Sequence, residues 1–256
     1  MFSEERKEKI LEIVERKKRV KVSELSSVLG ISEVTVRKDL DDLHNERKLY
    51  RTHGGAMVMH HEKNEMSLQE LLVRQIEEKH KIAVKAFPYI CDNDVILMDD
   101  STTVQELAKL VAAADFANLT VVTISVPVVN ILLSNSRLNV VMIGGPVAGK
   151  THAVLGSLPE RLLREMRVDK CFIGINGVEP DGVYTTSSFL EMTMKQTMLE
   201  ISRQKFILAD HTKFGQPSFL KVEDLAGKVD CLITDCRLPD FDYSVIEKVT
   251  NLEVAE

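Results

Sequence analysis

Nine consecutive residues near the start of the chain have the side chains that a DNA-reading helix needs. Residues 32–40 read SEVTVRKDL. On a helix, Val36, Leu40 and Leu43 share one face, which would pack inward. The opposite side would present Val34, Thr35, Arg37 and Lys38, and Ser32, the expected N-cap of this helix, joins them as a candidate DNA contact. Cations, hydroxyls and a small apolar group on a free face suit a helix that enters the major groove of DNA.

The elements around this segment complete a small domain. Helical patterns over residues 4–18 and 23–29 precede it, with Ser23 as the expected N-cap of the second helix and Gly30 as its end. Residues 49–56 (LYRTHGGA) indicate a β-hairpin, from which Arg51 and His53 are expected to reach DNA. Three helices and a hairpin predict a winged helix-turn-helix.

Apolar segments alternate with helical patterns through the rest of the chain. A helix is expected over about residues 67–86. Strands are predicted at 95–98, 120–124, 139–143, 171–175, 206–209, 231–234 and 252–254, and helices at 104–114, 127–134, 158–165, 188–202 and 243–248. Apolar strands separated by helices predict a mostly parallel sheet that is covered on both faces.

Polar residues follow the predicted strands, where the ligands of open α/β sheets bind. Including three glycines that allow close backbone approach, the candidate ligand-binding residues in these connections are Asp99, Ser101, Thr102, Thr103, Thr123, Ser125, Gly144, Gly145, Gly177, Glu191, Lys195, Asp210 and Lys213. Hydroxyls at a helix N-terminus can hold an anion, and carboxylates can bind sugar hydroxyls. The mixture suits a sugar phosphate. Individually, the hydroxyls also fit ordinary helix caps, Glu191 and Lys195 fit a surface ion pair, and Lys213 fits a solvated lysine.

Two other motifs have weaker support. Residues 144–151 (GGPVAGKT) satisfy the P-loop string, but they follow a third strand, and Gly156 and Pro159 interrupt what comes next. Nucleotide binding is therefore the minor alternative. His60 and His61 have no third ligand nearby in the sequence, so we expect linker histidines, no metal and no cofactor.

The charge is divided unevenly along the chain. Its 256 residues have a net charge of −6, yet residues 1–56 hold 13 Lys and Arg against 11 Asp and Glu. A mildly basic head on an acidic body indicates that only the head contacts phosphate. The four cysteines lack C-x-x-C spacing. With no signal peptide or membrane-length apolar segment, a cytoplasmic protein with reduced thiols is expected.

The ordered motifs resemble the DeoR family of bacterial transcriptional regulators. The resemblance is carried by residues 32–40, His53-Gly54-Gly55-Ala56, residues 99–103, Gly144-Gly145, Asp169, Gly174-x-x-Gly177 and Asp210-x-x-Lys213-Phe214-Gly215. It implies an α/β chain with a winged helix-turn-helix at 1–57, a linker at 58–72 and an effector domain similar to ribose-5-phosphate isomerase at 73–256. Two residues depart from the family pattern: Ser101 replaces a glycine, and Ile124 replaces an asparagine.

The resemblance also implies a function. Such proteins usually repress operons for sugar uptake and catabolism, and a phosphorylated sugar relieves the repression. They bind operator DNA as homodimers or homotetramers, and Asp169 would join the effector-binding residues.

Two alternatives stay open. One is a sugar-phosphate isomerase with a DNA-binding head, which would use Asp99, Asp169, Glu191 or Asp210 as a base and Lys195 or Lys213 as an electrophile. The other is a nucleoid-type DNA binder, which the acidic body disfavours. We expect a regulator that is not an enzyme.

Overall fold

The computed structural model describes residues 3–17, 19–45, 48–52, 55–58, 68–224 and 229–255. The chain divides into two compact units, Met1–Glu65 and Met66–Glu256. In the described part of the chain, no helix has the length and apolar character to cross a membrane.

The first unit is a winged helix-turn-helix. Its elements are α1 (Ser3–Lys17), β1 (Arg19–Lys21), α2 (Val22–Leu29), α3 (Glu33–Asn45), β2 (Leu49–Thr52) and β3 (Gly55–Val58). The three strands form an antiparallel sheet in the order β1-β3-β2. The predicted hairpin is therefore present, and a short strand from the α1–α2 connection joins it.

The second helix begins at Val22, two residues earlier than a cap at Ser23 would place its start. Lys21 occupies the N-cap position without a side-chain hydrogen bond, and Val22 opens the helix with its side chain buried. Ser23 is therefore not the N-cap, because burying Val22 in the first turn places the serine inside the helix. Gly30 does end the helix, at a left-handed φ of 64° that glycine adopts without strain.

The second unit begins with helices and continues as an α/β fold. Its elements are α4 (Leu68–Val73), α5 (Ile76–Ala86), β4 (Val95–Met98), α6 (Thr102–Ala113), β5 (Thr120–Thr123), α7 (Val126–Leu132), β6 (Asn139–Met142), α8 (Ser157–Arg164), β7 (Val168–Gly174), β8 (Gly177–Val178), β9 (Val183–Thr186), α9 (Phe189–Ile201), β10 (Ser202–Leu208), β11 (Leu220–Asp224), β12 (Cys231–Thr234), α10 (Ser244–Glu247) and β13 (Asn251–Val254).

Seven of these strands form one parallel sheet, in the order β13-β12-β10-β7-β4-β5-β6. The predicted mostly parallel sheet is confirmed, and buried apolar clusters form on it. The chain runs outward from β4 to β6 and then returns to β7 on the other side of β4. This reversal creates a topological switch point between β4 and β7, where such sheets bind ligands.

Two features differ from the sequence-based expectation. The helix expected over residues 67–86 is broken into α4 and α5 at Gln75, which has a φ of 51°. The buried Lys79 ammonium donates to the backbone carbonyls of Leu71 and Arg74, which satisfies acceptors at the break. A small antiparallel sheet, in the order β11-β9-β8, was not predicted, because its strands lack the continuous apolar sequence of the buried parallel strands.

Candidate functional site

Helix α3 presents the side chains that the sequence assigned to DNA. Val36, Leu40 and Leu43 are fully buried, whereas Arg37 and Lys38 are exposed. Val34 is 72% exposed, so its apolar side chain is available for contact on the same face. The Ser32 hydroxyl accepts a hydrogen bond from the Thr35 backbone N–H at 3.2 Å, so Ser32 caps the helix as predicted.

A buried carboxylate in the same motif fixes the position of α3. Asp39 is 2% exposed, and its Oδ1 accepts a hydrogen bond from Arg6 Nη2 at 2.9 Å while its Oδ2 accepts from Arg6 Nε. This forked pair joins α1 to α3. Sequence reasoning assigned no role to Asp39, although a carboxylate three residues after the buried Val36 lies on the inward side of the helix.

The outer face of α3 has its own ion pair. Arg37 donates to Glu33 Oε2 at 2.7 Å, one helical turn away. Arg51 lies in β2 of the hairpin, but its side chain is outside the described part of the structure, and so is the whole of His53. Their predicted contacts with DNA therefore stay predictions.

Asp99 is the centre of a hydrogen-bonded cluster at the switch point of the sheet. It follows β4 and is fully buried. Its Oδ1 accepts from the Ser101 backbone N–H at 2.9 Å, and its Oδ2 accepts from the Gly174 N–H at 2.9 Å and from Lys195 Nζ at 2.7 Å. The carboxylate thus joins the loop after β4, the end of β7 and helix α9.

Ser101 and Gly174 are in close contact beside this cluster. A Cβ atom added to Gly174 would lie 2.3 Å from Ser101 Cβ and 2.5 Å from its Oγ. The Ser101 hydroxyl accepts from the Val104 N–H and caps α6. Because Ser101 fills this space, the residue at position 174 must be glycine.

Three carboxylates act electrostatically on the buried Lys195 ammonium. Burial alone would lower the pKa of Lys195, but Asp99, Asp100 and Glu191 outweigh it and raise the pKa. Burial raises the pKa of Asp100 to about 7, against the opposing charge of Lys195 and with help from Asp99 and Glu191. Lys195 is therefore charged at neutral pH, and Asp100 changes charge near it.

A chain of polar side chains leads from this cluster to a cavity. Thr186 Oγ1 lies 2.8 Å from Glu191 Oε2 and 2.9 Å from Asn176 Oδ1. Asn176 lines a cavity of about 520 Å³. The other lining residues are Arg74, His211, Thr212, Lys213, Phe214, Gln216 and Leu238.

The cavity is cationic on one side. Arg74 and Lys213 line it. Burial lowers the pKa of Lys79, and the charges of Asp210 and Lys213 also act on this group, so the three side chains form one electrostatic cluster. Asp210 accepts from the Thr212 backbone N–H at 3.0 Å and fixes the turn that carries Lys213. Of this cluster, the sequence analysis had identified Asp210 and Lys213 but not Lys79 or the nearby Arg74, which lie in and before helix α5.

The remaining predicted residues occupy different places. Asp169 accepts from the Val95 N–H at 2.9 Å at the amino ends of β4 and β7, the edge opposite Asp99. Thr123 is buried and donates to the Met98 carbonyl, and the buried Ser125 caps α7. Gly144 and Gly145 lie in an exposed loop after β6, Thr102 and Thr103 open α6, and the buried Gly177 starts β8.

The P-loop string has the wrong structure for a nucleotide site. Residues Val147 and Val154 form an antiparallel bridge, so the segment folds back on itself. The next helix, α8, begins only at Ser157, whereas a P-loop lysine and threonine open a helix directly. The nucleotide-binding alternative is therefore not supported.

Comparisons with known proteins match both units of the chain. A DeoR-like helix-turn-helix domain matches residues 6–62, and a DeoR C-terminal sensor domain matches residues 74–236. The lactose phosphotransferase system repressor of Staphylococcus epidermidis is 35% identical over 234 residues, which cover 90% of this chain and 91% of the relative. The transcriptional repressor GlcR of Bacillus subtilis is 32% identical over 240 residues, which cover 94% and 91%.

Among solved structures, ribose 5-phosphate isomerase A from Methanocaldococcus jannaschii matches with a TM-score of 0.41 and 14% identity over 55% of each chain. The sensor-domain match alone spans more than half of the 256 residues, and the two repressors are similar over nearly their full lengths. The chain therefore belongs to the DeoR family of transcriptional regulators.

Proposed function

We propose that the chain is a DNA-binding repressor of an operon for sugar uptake or catabolism, and that a phosphorylated sugar controls it. Two features of one chain carry the proposal: helix α3, which exposes Arg37 and Lys38, and a cationic cavity at the carboxyl edge of a parallel sheet. The lactose phosphotransferase system repressor and GlcR, which have similar sequences, support the same conclusion.

In this proposal Ser32, Val34, Thr35, Arg37 and Lys38 read operator DNA, assisted by Arg51 and His53 from the hairpin. Binding requires Arg37 to leave Glu33, which costs only about 0.5 kcal/mol for an exposed pair one turn apart. A phosphate or base edge replaces that partner. Two copies of the chain would read two half-sites, as expected of a homodimer or homotetramer on a repeated operator.

The effector would lie with its phosphoryl group toward the cationic side of the cavity. Lys213 and Arg74 supply charge there. Asn176, together with Glu191 behind it, offers partners for sugar hydroxyls. Asp99, Lys195 and Asp210 would hold the loops in place, while Ser101 and Thr102 present the N-terminus of α6.

The geometry around Asp99 favours binding over isomerisation. A catalytic base needs a lone pair that faces the substrate. Three donors occupy the two oxygens of Asp99, and its side chain is fully buried. We therefore infer that Asp99 is not a catalytic base, and the two similar repressors support a domain that senses its ligand without converting it.

Fluorescence anisotropy of labelled operator DNA tests the DNA-binding part. Arg37→Ala and Lys38→Ala should weaken binding by about 1–3 kcal/mol where a base contact is lost, or flatten the salt dependence where a phosphate contact is lost. Lys9→Ala removes an exposed cation from α1 and is the matched control. Equal affinities for all four proteins would overturn the assignment of α3.

The effector part is tested with the same labelled DNA and a panel of sugar phosphates. At least one member should release the operator, and the corresponding free sugar should not. A panel without any effect would overturn the sensing proposal while leaving the DNA-binding assignment in place.

A further inference from the structure

Strands β10 and β12 are parallel neighbours, so the residues that follow them meet at one edge of the sheet. The register pairs Leu208 with Ile233. A short turn carrying His211 follows β10, and Asp235 and Cys236 follow β12. The His211 backbone N–H donates to Asp235 Oδ1 at 2.7 Å, and His211 Nδ1 lies 2.6 Å from Asp235 Oδ2.

We propose that His211, Asp235 and Cys236 form a binding site for a divalent transition-metal ion of the zinc class. One ligand atom from each residue lies within 4.8 Å of the other two. An imidazole nitrogen, a carboxylate oxygen and a thiolate sulfur are the donors that such ions prefer in tetrahedral sites. A water molecule would supply the fourth ligand.

The three side chains need little movement to accept an ion. A tetrahedral zinc ion holds a histidine nitrogen and a carboxylate oxygen about 3.4 Å apart. The ion would replace the proton between His211 and Asp235 and separate their atoms slightly. The hydrogen bond from the His211 backbone N–H to Asp235 Oδ1 keeps the carboxylate in place during this change.

The three side chains differ in exposure, and the most exposed one leaves the proposed site open to ions from solvent. Asp235 is buried, His211 is half-buried and Cys236 is exposed, so an ion has an entry path from solvent. A divalent cation would also compensate the buried carboxylate more fully than an imidazole does. Since His211 also lines the cavity, the metal would lie at its wall, independently of whether a sugar phosphate binds there.

Titration of the full-length, reduced protein with Co²⁺ tests the proposal, because a cobalt–thiolate bond gives a near-ultraviolet charge-transfer absorption. We expect one such ion per chain. Cys236→Ser should abolish the absorption, and His211→Gln should weaken Co²⁺ binding at least about tenfold, as loss of one of three protein ligands does. Zn²⁺ should displace the cobalt.

Cys91→Ser is the matched control, because Cys91 is also exposed but precedes β4, at the opposite edge of the sheet. It should retain the charge-transfer absorption of the unmodified protein. The absorption requires sulfur, so metal binding by His60 and His61 alone does not produce it. No absorption in the unmodified protein, or an absorption that persists in Cys236→Ser, would overturn the proposal.

Discussion

The Asp99 carboxylate accepts a hydrogen bond from the Lys195 ammonium at 2.7 Å, and both side chains are buried. The two residues are 96 positions apart in the sequence. Their contact joins the end of β4 to helix α9 across the point where the sheet changes direction. The bond therefore holds together the elements that surround the candidate effector site.

We predict that Lys195→Met destabilises the second unit by about 3–5 kcal/mol, because Asp99 is left as an uncompensated buried charge. Urea unfolding measures this as a lower midpoint. Adding Asp99→Asn to Lys195→Met should cost less than the sum of the single changes. Arg137→Met, which breaks an exposed pair with Asp115, should leave the midpoint unchanged. If Lys195→Met lowered the urea midpoint no more than Arg137→Met does, the anchoring role of Lys195 would be contradicted.

The contact between Ser101 and Gly174 predicts a compensating pair of substitutions. Gly174→Ala should cost about 1–3 kcal/mol, since the new methyl group meets the serine side chain. Adding Ser101→Gly removes the obstruction, and the next atom, the Leu208 carbonyl oxygen at 3.9 Å, is an ordinary contact. The double variant should therefore regain most of the stability that Gly174→Ala loses.

Thermal unfolding of the three variants checks this relationship. Ser101→Gly alone should cost only a few tenths of a kcal/mol as a weaker helix cap. Gly144→Ala serves as a control, because a Cβ added to Gly144 meets no atom within 4 Å. Additive losses in the double variant would mean that another contact excludes the alanine.

Asp100 should make the stability of the second unit depend on pH. Its pKa in the folded protein is about 7, well above its ordinary value of 3.8. Between these values the folded state binds more protons than the unfolded state, so stability falls as the pH rises from about 4 to 7 and then levels off.

Asp100→Asn removes this dependence because the amide resembles the protonated acid. The variant should exceed the unmodified protein in stability by about 2 kcal/mol at pH 8, a value reduced for the residual solvent contact of Asp100. The difference should disappear near pH 4. Urea unfolding across this range measures it, and a difference that is constant with pH would contradict the raised pKa of Asp100.

In the first unit, we predict that Arg6→Met lowers both stability and DNA affinity. The loss of stability should be about 2 kcal/mol, less than for a fully buried pair because Arg6 retains contact with solvent. Since Arg6 lies on α1 and not on the reading face, weaker DNA binding would act through the position of α3. Asp39→Asn should reproduce both effects, and normal DNA binding by either variant would contradict this.

Local periodicity was sufficient to predict α3 and most strands of the sheet. The buried face of Val36, Leu40 and Leu43 follows directly from helical spacing. The chain direction also indicated which residues follow strands, and Asp99, Asp210 and Lys213 were identified in this way. These features are determined by residues that lie close together in the sequence, so they could be predicted from the sequence alone.

Contacts between distant segments could not be predicted in the same way. Arg6 and Asp39 are 33 positions apart, and His211 and Asp235 are 24 apart. Asp169 belongs to the family pattern, yet the parallel register places it at the amino edge of the sheet. Only the strand order shows which residues share an edge.

The proposed repressor must couple the binding of operator DNA to the binding of a sugar phosphate within one chain. Calorimetric titration of the sugar phosphate selected from the panel, with and without saturating operator DNA, tests that coupling most directly. Coupling between two ligands is reciprocal, so the sugar phosphate should bind the DNA-bound protein more weakly, by the same factor by which it weakens operator binding. Lys213→Met should remove sugar-phosphate binding in both conditions while operator affinity stays unchanged. Equal affinity of the unmodified protein for the sugar phosphate with and without DNA would contradict the account.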